Sequence, residues 1–202
     1  MSKDILIRDN FINNMDELRD IALSLEFLYH MHTPVQVGWR GYRTWELSHH
    51  KNPLIDDCHD KVLKESSEFF NLDKDSIAME MYFHITYEKH GYQQIRKWHK
   101  DDRQYAGIIY MNHNAPLNGG TTIFLDGKGV EVENKYNRLV LYSGKNKHGP
   151  TNLFGDDKNS GRMTFTFFIG DKKNTTDQIN HIDNLREARG RGELPVPSWL
   201  KS

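Results

Sequence analysis

The chain has 202 residues, with 27 Lys plus Arg, 28 Asp plus Glu and a formal net charge of −1. That balance argues against a protein whose main task is to coat nucleic acid, which needs a large basic surplus. No apolar run is long enough to span a bilayer, the opening MSKDILIRDN lacks the form of a secretory signal, and the single cysteine, Cys58, excludes an internal disulfide framework and fits a reducing, cytoplasmic setting.

Residues 4–8, Asp-Ile-Leu-Ile-Arg, read as a short strand. Met15, Leu18, Ile21, Ala22, Leu25 and Leu28 recur at steps of three and four and predict a helix over 15–28. Asn13 or Asn14 suits its cap, and Asp16 and Glu17 favour its first turn. Residues 33–48 read as irregular, with Pro34, Gly38 and Gly41 among Trp39, Tyr42 and Trp45. A stripe of Leu54, Ile55, Cys58, Val62, Leu63 and Phe69 predicts a second helix over 53–70. From residue 77 the texture changes to short β-rich segments at 77–87, 105–112, 121–125, 129–132, 138–142 and 163–169, separated by turn signals such as Asp126-Gly127. Many short strands at close spacing predict a sandwich or barrel. A final helix is expected over 176–190, then an extended tail with Pro195 and Pro197. The length favours a single domain, 1–202: an N-terminal strand and helical layer at 1–76, a β core at 77–170 and a helical tail at 171–202.

Eleven histidines are many for this length, so their organisation matters. His99-Lys100-Asp101 places an imidazole and a carboxylate at i and i+2, on one face of an extended chain, as two neighbouring ligands of one metal require. His148 is the candidate third ligand. Two histidines and a carboxylate on one face of an octahedral ion leave open positions and suit non-haem Fe(II) that activates oxygen. The triplet alone carries no weight, because composition gives about one His-x-Asp by chance, and a second, His181-Ile182-Asp183, is present. Context separates them. His181 is the last histidine and falls in the expected tail helix, whereas His99 opens the β-rich region and several strands separate it from His148.

Arg162 opens the segment Arg-Met-Thr-Phe-Thr-Phe-Phe-Ile. Alternation along a strand puts Arg162, Thr164 and Thr166 on one polar face. Such a face meets solvent, the commoner case, or lines a pocket where the Arg holds a carboxylate and a Thr adds a hydrogen bond.

From Tyr82 to Gly170 the sequence resembles the Fe(II)- and 2-oxoglutarate-dependent dioxygenases, in particular their prolyl-hydroxylase-like branch. The resemblance rests on an ordered set: Trp98-His99-Lys100-Asp101; Gly107-Ile108-Ile109-Tyr110-Met111-Asn112; Pro116 through Gly119-Gly120-Thr121 to Phe124; Asn137-Arg138-Leu139-Val140-Leu141-Tyr142; His148; and Arg162 with Thr164. The Asn-Phe-Ile opening and the Gly-Trp-Arg-Gly-Tyr-Arg loop resemble a microbial and phage branch. The resemblance implies a mainly β fold with flanking helices, a double-stranded β-helix (jelly roll) with N-terminal helices and a C-terminal helix. It implies Fe(II) held by His99, Asp101 and His148, with 2-oxoglutarate and O2 as cosubstrates. The distal carboxylate of 2-oxoglutarate would meet Arg162, assisted by Thr164 and Tyr110, with Tyr87 as a further candidate and Tyr92 competing for its role. The implied reaction is hydroxylation of an unactivated C–H bond of a protein side chain or small molecule, with release of succinate and CO2. Asp101 in the triplet favours hydroxylation over halogenation, which in this family accompanies a small residue there.

Two other readings stand beside this one. One is a non-catalytic jelly roll that binds a metal or ligand; the other is a cupin-type dioxygenase that needs no 2-oxoglutarate. Trp39, Arg40, Tyr42, Arg43 and Trp45 form an aromatic and basic cluster, either a lid over the barrel mouth or aromatic glue between helices and sheet, and the arginines suit an anionic substrate group. His30-Met31-His32 lacks an acidic residue at metal-site spacing, and Glu80 and His84 are candidates for the sheet interior.

Overall fold

A computed structural model of the chain describes residues 4–30, 40–89 and 98–191. The N-terminal strand is β1 (Ile5–Arg8), followed by α1 (Met15–Ser24). The helix is shorter than its apolar spacing predicts. Leu25 turns extended, its N–H reaching back to the Ala22 carbonyl, and Leu28 and Tyr29 form β2 instead, paired with β3 (Tyr42–Arg43). The segment expected to be irregular thus contains β3 and a 3-10 turn at Leu47–His49. Helix α2 (Pro53–Phe70) has its expected bounds. Asn52 caps it by accepting from the Leu54 and Ile55 N–H groups at 2.9 and 3.3 Å, Pro53 starts it, and Asn71 ends it with φ 55°.

Six longer strands and one short one follow: β4 (Ile77–Thr86), β5 (Tyr105–Tyr110), β6 (Thr121–Leu125), β7 (Lys128–Val132), β8 (Leu139–Ser143), β9 (His148–Pro150) and β10 (Arg162–Asp171). Helix α3 (Lys172–Gly190) begins directly after β10, earlier than the apolar pattern suggests, because Asp171 caps it by accepting from the Asn174 N–H. Asp126 and Gly127, with φ 48° and 79°, make the tight β6–β7 hairpin.

The strands form two antiparallel sheets that face each other. The larger runs β1-β8-β5-β10-β4-β3-β2 and the smaller β7-β6-β9. Reciprocal backbone bonds between His99 and His148, 2.9 and 2.8 Å, extend the smaller sheet past β9. Alternation sorts β4 and β10. Met79, Met81, Phe83 and Ile85, with Met163, Phe165, Phe167 and Ile169, face α1 and α2 and form the larger apolar cluster. The opposite face meets the smaller sheet, where a second cluster holds Ala106, Ile108, Tyr110, Ile123, Val132, Val140 and Tyr142. That second face also carries Arg162, Thr164 and Thr166, 6%, 1% and 9% exposed. The polar face therefore lines the interior and does not meet solvent. Among the described residues, no helix is long and apolar enough to cross a membrane.

Where β3 ends, side chains finish its work. Thr44 Oγ1 accepts from the Phe83 N–H at 3.1 Å and Glu46 Oε1 from the Met81 N–H at 3.0 Å, so the buried edge of β4 stays satisfied. Beyond them His49 Nδ1 lies 3.4 Å from Asp183 on α3. Burial, reinforced by His50 and Arg186, pulls the His49 imidazole from 6.5 down to about 4. Between those values the unfolded chain binds the proton and the folded chain does not, so stability falls as pH drops from about 6.5 toward 4. His49→Gln is expected to reduce the stability difference between pH 7 and pH 4.5 by about 1–2 kcal/mol in urea melts.

Candidate functional site

The two sheets bring His99, Asp101 and His148 together from different parts of the chain. One ligand atom from each lies within 4.8 Å of the others, the only such group of three metal-ligating side chains among the described residues. His99 and His148 are fixed by their reciprocal backbone bonds. Asp101 N–H donates to the Gly144 carbonyl at 2.8 Å, and Lys145 Nζ ties the Asp101 and Asp102 carbonyls at 3.2 and 2.7 Å. Arg103 donates to Glu80 Oε1 on β4 through Nε at 2.8 Å and Nη2 at 2.5 Å. The irregular stretch that carries two of the three side chains is thereby anchored to both sheets. Composition and spacing give no sign of the Arg103–Glu80 link.

Gly144 is required for this approach. A Cβ there would lie 2.5 Å from the Arg103 carbonyl oxygen and 3.2 Å from Asp101 Cβ. Backbone must move to admit it, so Gly144→Ala is expected to destabilise the fold by about 1–3 kcal/mol. Displacing Asp101 should also weaken Mn(II) binding at least about tenfold in calorimetric titration, on the scale of losing a supporting contact.

The protonation pattern shows what the triad is suited to hold. His148 Nδ1 lies 2.8 Å from the Asn146 carbonyl, which can only accept, so Nδ1 donates there and Nε2 is the ring nitrogen turned to the site. Nε2 faces Asp101 Oδ2 at 3.3 Å, and His99 Nε2 lies 3.5 Å from Asp101 Oδ1. Asp101 Oδ2 is buried and accepts no hydrogen bond. Burial pushes the Asp101 carboxyl up, but the imidazoles of His148 and His99 outweigh it and hold the group well below the usual carboxylate range. An ionised carboxylate with two imidazole nitrogens turned toward it calls for a positive charge between them, a proton on an imidazole or a metal ion. The donor set of two imidazoles and one carboxylate fits a divalent first-row metal with open positions. His148 is buried, while the His99 side chain is half exposed, so the site opens to solvent on the His99 side.

Arg162, at the start of β10, is the second charged feature of the interior. Its Nε donates to the Gly119 carbonyl at 3.0 Å, and Nη2 to the Gly120 carbonyl at 3.2 Å and to Thr121 Oγ1 at 2.9 Å. Among the described residues no carboxylate pairs with the guanidinium. Burial lowers its pKa, the direction expected of a cation short of counter-charge. Its guanidinium carbon lies 5.6 Å from the centre of the Tyr110 ring. The Tyr110 hydroxyl is 2.9 Å from Thr121 Oγ1 and 3.2 Å from the Val132 carbonyl, and burial raises its pKa. Thr164, directly opposite Tyr110 in the sheet, has its hydroxyl 2.9 Å from that of Thr166.

Of the remaining candidates, Tyr87 lies in the helix-facing cluster, its ring 5.2 Å from Tyr42 and packed against Gly161. The structure thus brings Tyr110 to Arg162, and places Tyr87 on the other side of the sheet. Glu80, Tyr82 and His84 do face the interior, with Arg43 beside His84 in the register and its guanidinium 4.8 Å from the Tyr82 ring. Trp45 lies under Arg189 of α3 at 5.8 Å, which makes it part of the helix contact. His30 accepts from the Gly41 N–H through Nδ1. Trp39, His32 and Tyr92 lie outside the described residues.

No protein-family model matches the sequence, and no curated protein matches it. Solved structures do. The chain is similar to a prolyl-4-hydroxylase from Pseudomonas putida, with 17% identity and a TM-score of 0.57 over 85% of this chain and 94% of that one. It is similar to an oxidoreductase of the 2OG-Fe(II) oxygenase family from Burkholderia pseudomallei, with 8% identity and a TM-score of 0.60 over 84% and 85% of the two chains. A third is HygX from Streptomyces hygroscopicus with iron bound, with 9% identity and a TM-score of 0.57 over 83% and 82%. At such identities the likeness is one of fold: the chain has the double-stranded β-helix of these oxygenase structures, with N-terminal helices and a C-terminal helix around it.

Proposed function

We propose that the protein is an Fe(II)- and 2-oxoglutarate-dependent oxygenase that hydroxylates a C–H bond of a peptide side chain or small molecule. The observation that carries the proposal is the convergence of the buried Asp101 carboxylate with His148 Nε2 at 3.3 Å and His99 Nε2 at 3.5 Å. His99, Asp101 and His148 would hold the iron, which when bound supplies the redox chemistry that couples decarboxylation of a 2-oxo acid to oxidation of a C–H bond. The similar structures include a prolyl-4-hydroxylase, an oxidoreductase of the 2OG-Fe(II) oxygenase family and HygX with iron bound, which supports this reading.

The chain's own residues have definite tasks in it. The Asn146 carbonyl holds the proton on His148 Nδ1 and so keeps Nε2 available as a ligand. Arg162 binds the distal carboxylate of 2-oxoglutarate in the dry space between the sheets, where a charge-assisted pair is strong. Thr164 offers a hydroxyl beside it. Tyr110, kept neutral by burial, presents its ring to the guanidinium. Tyr87 keeps a packing role. The half-exposed His99 marks the side from which substrate enters. An anionic group on the substrate is part of the reading, because Arg43 places a second guanidinium on the interior face, 5.6 Å from the Phe168 ring. The buried Cys58 thiol, pushed up to about 12 by burial, suits a cytoplasmic protein with no disulfide chemistry.

The test is anaerobic titration of the protein with Fe(II) and then 2-oxoglutarate. A weak charge-transfer band at about 500–530 nm, expected of a keto acid chelated to a facial-triad iron, supports the proposal. Metal binding without the band rejects the 2-oxoglutarate assignment and leaves a metal-binding jelly roll.

A further inference from the structure

A groove that the proposed chemistry does not use lies along β1, whose Ile5 pairs with Tyr142, a ring 4.7 Å from that of His148. The groove has a volume of about 720 Å³, with Glu65, Glu68 and Phe69 of α2 on one side and Leu125 and Val130 of the β6–β7 hairpin on the other. β1 is an edge of the larger sheet: it pairs with β8 on one side, and no strand among the described residues covers the other. Proteins usually blunt such edges with proline, a bulge or like charges that repel a second copy. The centre of this strand is Ile5-Leu6-Ile7. Among the described residues the exposed large hydrophobic side chains are Ile7 at 43%, Leu117 at 77% and Val130 at 39%, and two of these three line this one groove.

The charges bracket the apolar centre symmetrically, Asp4 before it and Arg8 after it. We infer that β1 is a homodimer interface, pairing antiparallel with β1 of a second copy about a twofold axis through Leu6. In that register Asp4 faces Arg8 of the partner, Ile5 faces the partner's Ile7 and Leu6 faces the partner's Leu6. A parallel pairing would set Asp4 on Asp4 and Arg8 on Arg8, so the charge pattern selects the antiparallel, closed arrangement. Arg8 also meets Glu65 of its own α2 at 3.0 Å, yet its side chain stays 57% exposed, which leaves it able to face a carboxylate of the partner as well. Pairing would continue the larger sheet through the dimer and cover the exposed Ile7, with Val130 at its border. The choice of a second copy over an unrelated strand rests on this self-complementary charge and apolar order.

Sedimentation of the full chain should show a concentration-dependent dimer at about 10–100 µM, the range of a small interface. Ile7→Lys sets an ammonium against the partner's Ile5 and should raise the dimer dissociation constant at least about tenfold, with an unchanged circular dichroism spectrum. Cysteine substitution reads the register. Leu6→Cys should oxidise to a covalent dimer on its own, because only the residue on the axis faces itself within disulfide reach. Ile5→Cys and Ile7→Cys should cross-link when mixed and not alone. The native Cys58 is fully buried and adds no background. A wild-type chain that stays monomeric through this range overturns the inference. So does a dimer indifferent to Ile7→Lys, or cross-linking that does not follow the 6–6 and 5–7 pattern. None of these readouts depends on metal or 2-oxoglutarate, so this inference and the proposed activity stand or fall separately.

Discussion

Asp101→Ala is expected to abolish metal-dependent stabilisation. In the metal-free chain the Asp101 carboxylate is buried, with His148 Nε2 at 3.3 Å and His99 Nε2 at 3.5 Å. The two imidazoles hold its carboxyl below the usual carboxylate range, so the metal-free variant also gives up that stabilisation at neutral pH. With a divalent ion bound, the same carboxylate is a ligand. Loss of outer-shell partners alone costs ten- to a hundredfold in affinity, so loss of a ligand should cost more than about a hundredfold. Metal at about a hundred times its dissociation constant stabilises by about 2.7 kcal/mol. For a chain of this size that raises the melting temperature by about 5–10 °C. The measurement is a thermal melt with increasing Mn(II), with and without chelator. Wild type should show a shift that chelator reverses, and Asp101→Ala none. A comparable shift in both proteins would place the metal elsewhere.

The residues that carry this prediction were legible in the sequence to differing degrees. The longer strands and helices followed from periodicity while the short β2, β3 and β9 did not, and α2 kept its bounds because its cap, its proline and its apolar stripe all agree. Helix α1 did not, since the apolar spacing continues through Leu25 and Leu28 while the backbone turns extended so that Leu28 can pair with Arg43. Tertiary pairing overrode a local pattern there. The triad was readable as types in order, but its assembly depends on the His99–His148 bridge between distant segments, which no local rule supplies. The polar face of β10 was ambiguous because alternation gives a face and not what covers it. The second sheet covers it. Tyr87 was decidable in principle. It shares parity with Met81, Phe83 and Ile85, the apolar series that faces the helices, whereas Glu80, Tyr82, His84 and Thr86 alternate to the inside. The Arg103–Glu80 anchor had no sequence signal, because an arginine in a charged turn is ordinarily solvated.

Arg162 carries the other large effect. Arg162→Ala is expected to weaken 2-oxoglutarate binding by about two to three and a half orders of magnitude, the scale of removing one partner of a buried charge pair, about 3–5 kcal/mol. Truncation also takes one of two donors from each of the Gly119 and Gly120 carbonyls, which keep Asn134 Nδ2 and the Thr151 N–H, so lost affinity alone does not separate a binding role from a folding role. Two comparisons do. The Mn(II)-dependent shift in melting temperature reports the triad, which makes no contact with Arg162, and should persist in the variant. The second is chemical. A 2-oxo acid of similar length without the distal carboxylate removes the same interaction from the ligand side. Wild type should prefer 2-oxoglutarate over this analogue about a hundredfold or more, and Arg162→Ala should bind the two about equally. Arg162→Lys keeps the charge but loses the planar fork that satisfies both glycine carbonyls and Thr121, so it should fall between them. If Arg162→Ala retained the wild-type preference, the distal carboxylate would have to be held by another group. The buried guanidinium would then be a structural tie that fastens β10 to residues 119–121, and the interior would have to be read again from Arg43, the other guanidinium on that face.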